Sequence, residues 1–277
     1  AWMIGSMLAS GLAAVARLPV AVPGQLRSAM VMVLGIMLGS AFTPDILARL
    51  DAWAVSMAGL AVYVVAATAL GTLYLRHVAG FDTVTSYFTA SPGGLNEMVL
   101  VGAAMGGDDR MIALVHSVRI MLVVMTVPFW FRFFEGYVPG ARGALGPGMA
   151  SVPLQDLALM AACVLGAPVA RRLRFPAAAL TGPMLVSAVL HMTGVTSGRP
   201  PGILVATAQV VVGAALGSRF AGIGLATIGR AAVIAFGLTV AMLGLAVVMA
   251  LALHGAAGTT AETLVLAYAP GGLAEMS

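Results

Sequence analysis

Two glutamates occupy the same place in a short motif that the sequence contains twice. Glu97 follows the Pro-Gly-Gly triplet at 92–94, and Glu275 follows a second such triplet at 270–272, with 178 positions between counterparts. Ionisable side chains within apolar segments are costly and usually functional, so both glutamates could couple Na⁺ or H⁺. Alternatively, each glutamate caps the helix that begins at the last glycine of its triplet, where negative charge is favoured. The sequence leaves both roles open.

A basic pair in the next apolar segment could recognise an anion. Arg119 lies ten residues beyond Asp109, which places it ~15 Å into the segment, too deep for its charge to reach water easily. Its partner is either a carboxylate such as Glu97, in a structural ion pair, or an anionic group of a substrate. His116 lies one turn earlier on the same helical face and is either part of this site or a histidine that packs between helices.

The residues of the two breaks complete the candidate substrate site. Ser91 and Asn96 are polar in the first copy, whereas Ala269 and Ala274 replace them in the second, which suggests that the first half holds the substrate more closely. The candidate substrate-binding residues are Ser91, Pro92, Gly93, Gly94, Asn96, His116, Arg119, Pro270, Gly271 and Gly272, with Glu97 and Glu275 as ion-coupling residues.

No arrangement of residues indicates an enzyme. The four histidines are scattered singly and Cys163 is the single cysteine, so a copper oxygenase site or a cysteine-based metal site lacks its ligands. The sequence contains neither a phosphate-binding Gly-Lys loop nor a set of segments that could form a catalytic triad. We therefore expect no catalytic residues, no metal and no cofactor.

The composition places these residues in a membrane. Hydrophobic residues make up 61% of the 277 residues and charged residues 9%, with a mean hydropathy of +1.04. A soluble domain carries about 25% charged residues, so this chain cannot cover a water-facing surface. Most of its apolar runs are near the ~20 residues that a membrane-spanning helix needs. We expect an all-α polytopic membrane protein in contact with lipid, and the net charge of +4 indicates loops at the membrane surface rather than a nucleic-acid site.

Each Pro-Gly-Gly triplet interrupts one of these apolar runs. Proline removes a backbone donor and glycine weakens a helix, so each segment is expected to form a broken helix or a re-entrant hairpin. Unwound backbone inside a bilayer must be buried in protein or line a wet cavity. Broken segments at corresponding places in two halves of a chain are typical of transport sites.

The same offset of 178 positions relates further residues and indicates an internal duplication: Pro23-Gly24 with Pro201-Gly202, Gly35 with Gly213, and Leu38-Gly39-Ser40 with Leu216-Gly217-Ser218. We expect a first transmembrane repeat over 1–133 that lacks its first helix, a linker loop over 134–154, and a second repeat over 155–277 that lacks its last helix. If the broken segments re-enter, nine arginines fall on one side of the membrane and four on the other, whereas crossing segments give seven and six. The positive-inside rule favours the first arrangement, which makes the two pseudo-symmetric repeats inverted.

The doubled motif also carries a family resemblance. Two copies of the pattern PGGL-x-EM, the first followed by Gly107-Asp108-Asp109 and by His116-x-x-Arg119, resemble the bacterial AbrB duplication membrane proteins. Some members of that family carry the label of an ammonia monooxygenase, and the family has been tied to the regulation of gene expression. Its architecture is similar to that of repeat-built secondary transporters. The resemblance implies a multi-pass protein of the bacterial inner membrane.

These observations lead to two functional expectations. The first is a secondary transporter that moves a small organic anion through a midplane site formed by the two breaks, coupled to Na⁺ or H⁺. The second is a membrane regulator or sensor that affects gene expression without transport. The sequence leaves the substrate, the coupling ion and a homo-oligomeric assembly open.

Overall fold

The computed structural model describes residues 2–44, 50–134 and 146–270, and these residues are largely helical. No strand occurs among them, which confirms the all-α expectation. The described helices, in chain order, are α1 (Trp2–Val15), α2 (Gly24–Gly39), α3 (Leu50–His77), α4 (Thr83–Ala90), α5 (Leu95–Ala104), α6 (Asp109–Phe134), α7 (Leu154–Cys163), α8 (Gly166–Arg172), α9 (Ala178–Met192), α10 (Gly202–Gly217), α11 (Leu225–Ala257) and α12 (Ala261–Tyr268).

Five helical stretches of the described chain are long and apolar enough to cross a membrane. They lie in α3, α6, α10 and α11 and in the consecutive pair α7–α8. At ~1.5 Å per residue, the 33 residues of α11 measure about 50 Å, which exceeds the ~30 Å hydrocarbon core of a bilayer. The helices α1, α2 and α9 are apolar but shorter, with 14, 16 and 15 residues. These lengths and compositions confirm the expectation of a helical membrane protein.

The described chain forms two compact units. The first contains α1, α2 and α7–α10, from the described residues 2–44, 129–134 and 146–222, and the second contains α3–α5, most of α6, α11 and α12, from the described residues 50–128 and 223–270. Each predicted repeat contributes helices to both units, so the units and the repeats are different divisions of the chain. Residues 135–145 of the predicted linker lie outside the described residues.

Within the first unit, α2 packs against α9 through a seam of small residues. A Cβ atom on Gly35 would collide with the carbonyl of Leu180, and one on Gly39 would collide with the carbonyl of Met184. The glycines therefore let the two backbones approach closely. Ser187 of α9 adds a hydrogen bond of 2.9 Å, which it donates to the carbonyl of the residue after Gly35.

The helix α10 packs against α1 in the same way. Gly213 lies against the Met3 carbonyl and Gly217 against the Met7 carbonyl, without room for a Cβ atom at either glycine. The two glycines are the counterparts, 178 positions later, of the seam glycines on α2. In the first unit, α1 and α9 thus each pack against the glycine-bearing helix of the other predicted repeat.

The helix bounds carry the same offset of 178 positions. The helix α2 covers residues 24–39 and α10 covers 202–217, and both follow a proline and end at a glycine. The short helices α4 and α12 cover 83–90 and 261–268. The relative direction of the two repeats remains a prediction.

In the second unit, the long helices α3 and α11 pack side by side, and two short helices lie against them. The helix α4 lies against α3, and α12 lies against α11. Tyr63 of α3 donates a hydrogen bond of 3.2 Å to the Met242 carbonyl of α11. Gly71 of α3 leaves room for the Ala90 side chain at the end of α4. These contacts fix the end of α4 against the pair of long helices.

Candidate functional site

The first Pro-Gly-Gly triplet interrupts the helix, as predicted. The helix α4 ends at Ala90, Ser91 has φ −57° and ψ 128°, and Gly94, which precedes α5, has φ −60° and ψ 127°. These values are extended rather than helical, so the segment forms two short helices of 8 and 10 residues. The end of α12 is similar, because Ala269, which follows Tyr268, has φ −56° and ψ 132°.

Part of the predicted site lies outside the described residues. In the first break, Pro92 is half-buried, whereas Gly93 and Gly94 are exposed. In the second break, Pro270 is buried. The predicted site residues that the structure does not describe are Gly271, Gly272 and Glu275, together with the side chain of Asn96.

Hydrogen bonds fix the start of α4 against the start of α6. Asp82 caps α4 by accepting a hydrogen bond of 2.9 Å from the Thr85 N–H. The Thr85 hydroxyl oxygen in turn accepts a hydrogen bond of 2.8 Å from the Asp108 N–H. Asp108 accepts a hydrogen bond of 3.0 Å from the Met111 N–H in the first turn of α6. Hydrogen bonds from Thr85 lower the pKa of Asp82, because they stabilise its charged form.

Ser91 closes the other end of α4 through a local turn. Its hydroxyl donates a hydrogen bond of 2.8 Å to the Tyr87 carbonyl, and its N–H donates to the same oxygen at 2.9 Å. The hydroxyl hydrogen is therefore used within the helix, and the hydroxyl oxygen keeps its capacity to accept. The role of Ser91 in substrate binding remains a prediction.

Arg119 lies at the end of α4 and compensates for the break. Its Nη1 donates to the carbonyl oxygens of Thr89 and Ala90, at 3.2 Å and 3.1 Å. In an unbroken helix, those carbonyls would accept from the N–H groups of Gly93 and Gly94. The guanidinium replaces these two donors and brings positive charge to the negative end of the helix. Its side chain is 2% exposed, so the contact is made away from water.

His116 contacts a second arm of the same guanidinium. Arg119 Nη2 and His116 Nε2 are 2.7 Å apart, and both side chains are buried. A guanidinium has only donors, so His116 Nε2 is the acceptor and the ring is the neutral tautomer with its hydrogen on Nδ1. The structure therefore brings together the two α6 residues that the sequence singled out.

No carboxylate of the described residues forms an ion pair with Arg119. Glu97, the ion-pair partner considered from the sequence, lies in the first turn of α5 and folds back toward Gly94, leaving no room for a Cβ atom there. This position fits the capping role of Glu97, because negative charge is favoured at a helix N-terminus. Its role in ion coupling remains a prediction.

Four deeply buried polar atoms on α4 and α6 have no hydrogen-bond partner in the described structure: Ser86 Oγ, Thr89 Oγ1, Ser117 Oγ and Arg119 Nε. Their side chains are at most 3% exposed. Buried polar groups are normally satisfied, so these atoms provide spare hydrogen-bonding capacity for a polar ligand or for water. Sequence reasoning missed the three hydroxyls, although the run Thr-Val-Thr-Ser-Tyr-Phe-Thr-Ala-Ser at 83–91, which contains two of them, was a signal in so apolar a chain.

Two stacked tyrosines lie in the same unit. The rings of Tyr63 and Tyr268 are 5.7 Å apart at an angle of 12°, and both side chains are almost fully buried. Tyr268 donates a hydrogen bond of 3.1 Å to the Ser56 carbonyl of α3. Tyr63 lies close enough to Arg119 to interact with it electrostatically. Because Tyr268 ends α12 just before the second triplet, the stack connects the surroundings of Arg119 with the start of that break.

The buried donors of α4 and α6 suit an anion better than a metal ion. Among the residues that the structure describes, no three His, Cys, Asp or Glu side chains form a group that could hold a metal. The guanidinium of Arg119 and the serine and threonine hydroxyls are instead donors that carboxylates and similar anions accept from.

Two bacterial proteins are similar to the chain over most of its length. "Uncharacterized protein YhjN" of Bacillus subtilis (strain 168) is 28% identical over 261 residues, which cover 89% of this chain and 68% of the relative. "Putative regulator AbrB" of Escherichia coli (strain K12) is 26% identical over 221 residues, which cover 79% of this chain and 63% of the relative. The chain thus spans roughly two thirds of the length of these relatives. No solved structure matches it.

A family model matches almost the whole chain. The family is described as "Transition state regulatory protein AbrB", and the match covers residues 2–277. It includes both Pro-Gly-Gly triplets and the segment with His116 and Arg119, the residues on which the family resemblance was based. The match confirms that resemblance, and the chain belongs to the AbrB family.

Proposed function

We propose that the protein is a secondary transporter that moves a small organic anion across the membrane. The observation that carries this proposal is the buried guanidinium of Arg119 at the end of an interrupted helix, with no carboxylate partner among the described residues. A charge buried in a membrane protein is costly unless other groups compensate it. The two freed carbonyls and the neutral His116 compensate part of this charge, and an anionic ligand would compensate it more fully.

The interrupted helix supports transport over a purely structural role for Arg119. Broken helices are typical of transporter binding sites, because unwound backbone offers polar groups to a substrate at the midplane. Here one short segment combines the carbonyl end of α4, the N–H end of α5 and several hydroxyl groups. We propose that the second triplet, from Pro270 onward, forms the other half of the site.

We also propose the energy source of the transport and the location of the protein in the cell. Na⁺ or H⁺ would drive the transport, with Glu97 and Glu275 as the coupling residues. The protein would act as a multi-pass protein of the bacterial inner membrane, in contact with lipid, and a homo-oligomer is compatible with this role. The proposal assigns it no catalytic activity and no nucleic-acid partner.

A second candidate function is that of a membrane regulator or sensor. The observation that favours it is the name of the E. coli relative, "Putative regulator AbrB". In this role the same buried site would bind a small anion and change the contacts of the protein with a signalling partner, without moving the anion across the membrane.

Flux through the full-length protein in liposomes separates the two functions. We expect an inward Na⁺ or H⁺ gradient to drive uptake of a radiolabelled compound from a panel of mono- and dicarboxylates. Arg119→Lys keeps the charge but loses the two-pronged contact, so binding and uptake should fall at least about tenfold. Arg110→Lys, at the exposed start of α6, is the matched control and should transport normally. Binding without flux would favour the regulator, and a panel with neither binding nor flux would contradict the anion site.

A further inference from the structure

Four arginines lie near the starts of two helices of the first unit. Arg171 and Arg172 lie in the last turn of α8, and Arg174 lies in the short connection from α8 to α9. Arg27 lies in the first turn of α2. Its side chain is half-buried, and the other three side chains are exposed.

The contacts of α2 with α9 place these arginines at the same end of the unit. Gly35 of α2 lies against Leu180, and Gly39, one turn later, lies against Met184, one turn further along α9. The two helices therefore run in the same direction, and their starts lie at the same end. We call this end the basic end and define it by its four arginines: Arg27, Arg171, Arg172 and Arg174.

The basic end has no acidic residue beside it in the described part of the first unit. The only acidic residue in that part is Asp156, in the first turn of α7. Its carboxylate accepts a hydrogen bond of 2.7 Å from the hydroxyl of Thr196, which follows the last residue of α9. Asp156 therefore lies at the opposite end of α9. None of the four arginine side chains forms an ion pair with a described residue, so this part of the unit does not neutralise their charge.

Large apolar side chains are exposed between these arginines. Leu173 is 66% exposed, Phe175 46% and Leu26 44%, and each is next to an arginine in the sequence. Exposed apolar groups beside basic ones are typical of a membrane–water interface, where the former enter the acyl region and the latter stay among the headgroups. The apolar stretch Leu154–Arg172 ends at this point, and its 19 residues measure about 28 Å, close to the ~30 Å hydrocarbon core.

We propose that the basic end binds the headgroups of anionic phospholipids. A guanidinium donates two parallel hydrogen bonds to phosphate oxygens. The net charge of the headgroup decides between lipids, because a zwitterionic headgroup adds an ammonium that the neighbouring arginines repel. Each arginine near an anionic surface strengthens binding by about fivefold. The exposed Leu173 and Phe175 favour a lipid over a free anion, because only a lipid offers them acyl chains.

Native mass spectrometry of the full-length protein in detergent counts bound lipids and measures their affinities. The probes are phosphatidylglycerol and phosphatidylcholine with the same acyl chains. We expect the unmodified protein to bind phosphatidylglycerol at least about fivefold more tightly. Arg172→Gln should weaken phosphatidylglycerol binding about fivefold without changing that of phosphatidylcholine, and Arg171→Gln, Arg172→Gln and Arg174→Gln together should abolish the preference. Arg199→Gln, an exposed arginine beyond the opposite end of α9, is the matched control and should keep it.

Equal affinities of the unmodified protein for the two lipids would overturn the proposal. A preference for phosphatidylglycerol that survives the triple change would also overturn it, because the lipid would then bind elsewhere. If an equal concentration of inorganic phosphate displaces phosphatidylglycerol, the basic end binds free anions rather than lipid, and the proposal fails. If the triple variant does not fold, the comparison of Arg172→Gln with Arg199→Gln still decides, and equal effects of these two changes would contradict the basic end as the lipid site.

Discussion

Two double-mutant cycles measure which residue the buried guanidinium interacts with. Both cycles contain Arg119→Met, one with His116→Leu and the other with Glu97→Gln. Arg119 Nη2 and His116 Nε2 form one buried hydrogen bond of 2.7 Å. A hydrogen bond to a charged group contributes about 1.5–3 kcal/mol, so the coupling energy of this pair should fall in that range. Glu97 forms no ion pair with Arg119, so the second cycle should be additive to within about 0.5 kcal/mol.

The loss of stability caused by Arg119→Met alone can be estimated from the contacts of the guanidinium. It leaves the carbonyls of Thr89 and Ala90 and the Nε2 atom of His116 without their donor. Three stranded acceptors cost about 3–9 kcal/mol together, since each costs about 1–3 kcal/mol. Removal of a buried charge regains about 2.5–3.5 kcal/mol on membrane-insertion scales. We therefore expect Arg119→Met to lower the free energy of unfolding by a few kcal/mol.

Unfolding of each variant in mixed micelles, followed by circular dichroism as the denaturing detergent increases, gives the free energies of both cycles. If Glu97→Gln restores most of the stability lost in Arg119→Met while the pair with His116 is additive, the guanidinium pairs with the carboxylate instead. That result would refute the contacts described here.

Two further predictions concern the glycine seam and the start of α4. Gly39→Ala forces a Cβ atom against the backbone of α9 and should lower the free energy of unfolding by about 1–3 kcal/mol. At Gly5 no atom lies within 4 Å of an added Cβ, so Gly5→Ala should leave the free energy of unfolding unchanged or raise it by up to about 1 kcal/mol. If both variants change the free energy of unfolding in detergent by the same amount, the close packing of α2 against α9 is contradicted. Asp82→Asn should remove a loss of stability that the unmodified protein shows at acidic pH. The pKa of Asp82 is lowered in the folded state, so its ionised carboxylate stabilises the fold above the unfolded-state pKa. This stabilisation is lost as the pH falls through the folded-state pKa. The Tm values of Asp82→Asn and the unmodified protein should differ most near pH 6 and approach each other as the pH falls below about 4, and a constant difference would argue against this role.

The interrupted helix could be predicted from the sequence because its causes are local. Pro92 removes a donor, and the two glycines after it weaken the helix wherever they occur. The role of Arg119 could not be predicted in the same way. The carbonyls that it contacts lie 29 and 30 positions earlier, and only the packing of α4 against α6 decides between backbone, carboxylate and ligand as its partner.

The pairing of the helices could not be predicted from the sequence either. The offset of 178 positions identified Gly35 and Gly213 as equivalent, but a glycine pattern does not say which helix will lie against it. In the structure, the helix that packs against each of these glycines belongs to the other predicted repeat. The buried hydroxyls of α4 were missed for a related reason, since single serines and threonines can satisfy themselves within a helix and become informative only when tertiary contacts bury them.

The seam between α1 and α10 has a consequence for the order in which the protein assembles. About 190 residues separate the end of α1 from the start of α10, so at ~5–20 residues per second α1 is synthesised about 10–40 s before its partner. During that interval, Ser6 and Ser10, which line the seam, have no α10 beside them. Ser6 bonds the Met3 carbonyl at 3.0 Å and Ser10 bonds the Met7 carbonyl at 3.2 Å, so both hydroxyls are satisfied within α1 itself. These two hydroxyls therefore need no partner from α10 in the interval before α10 is made.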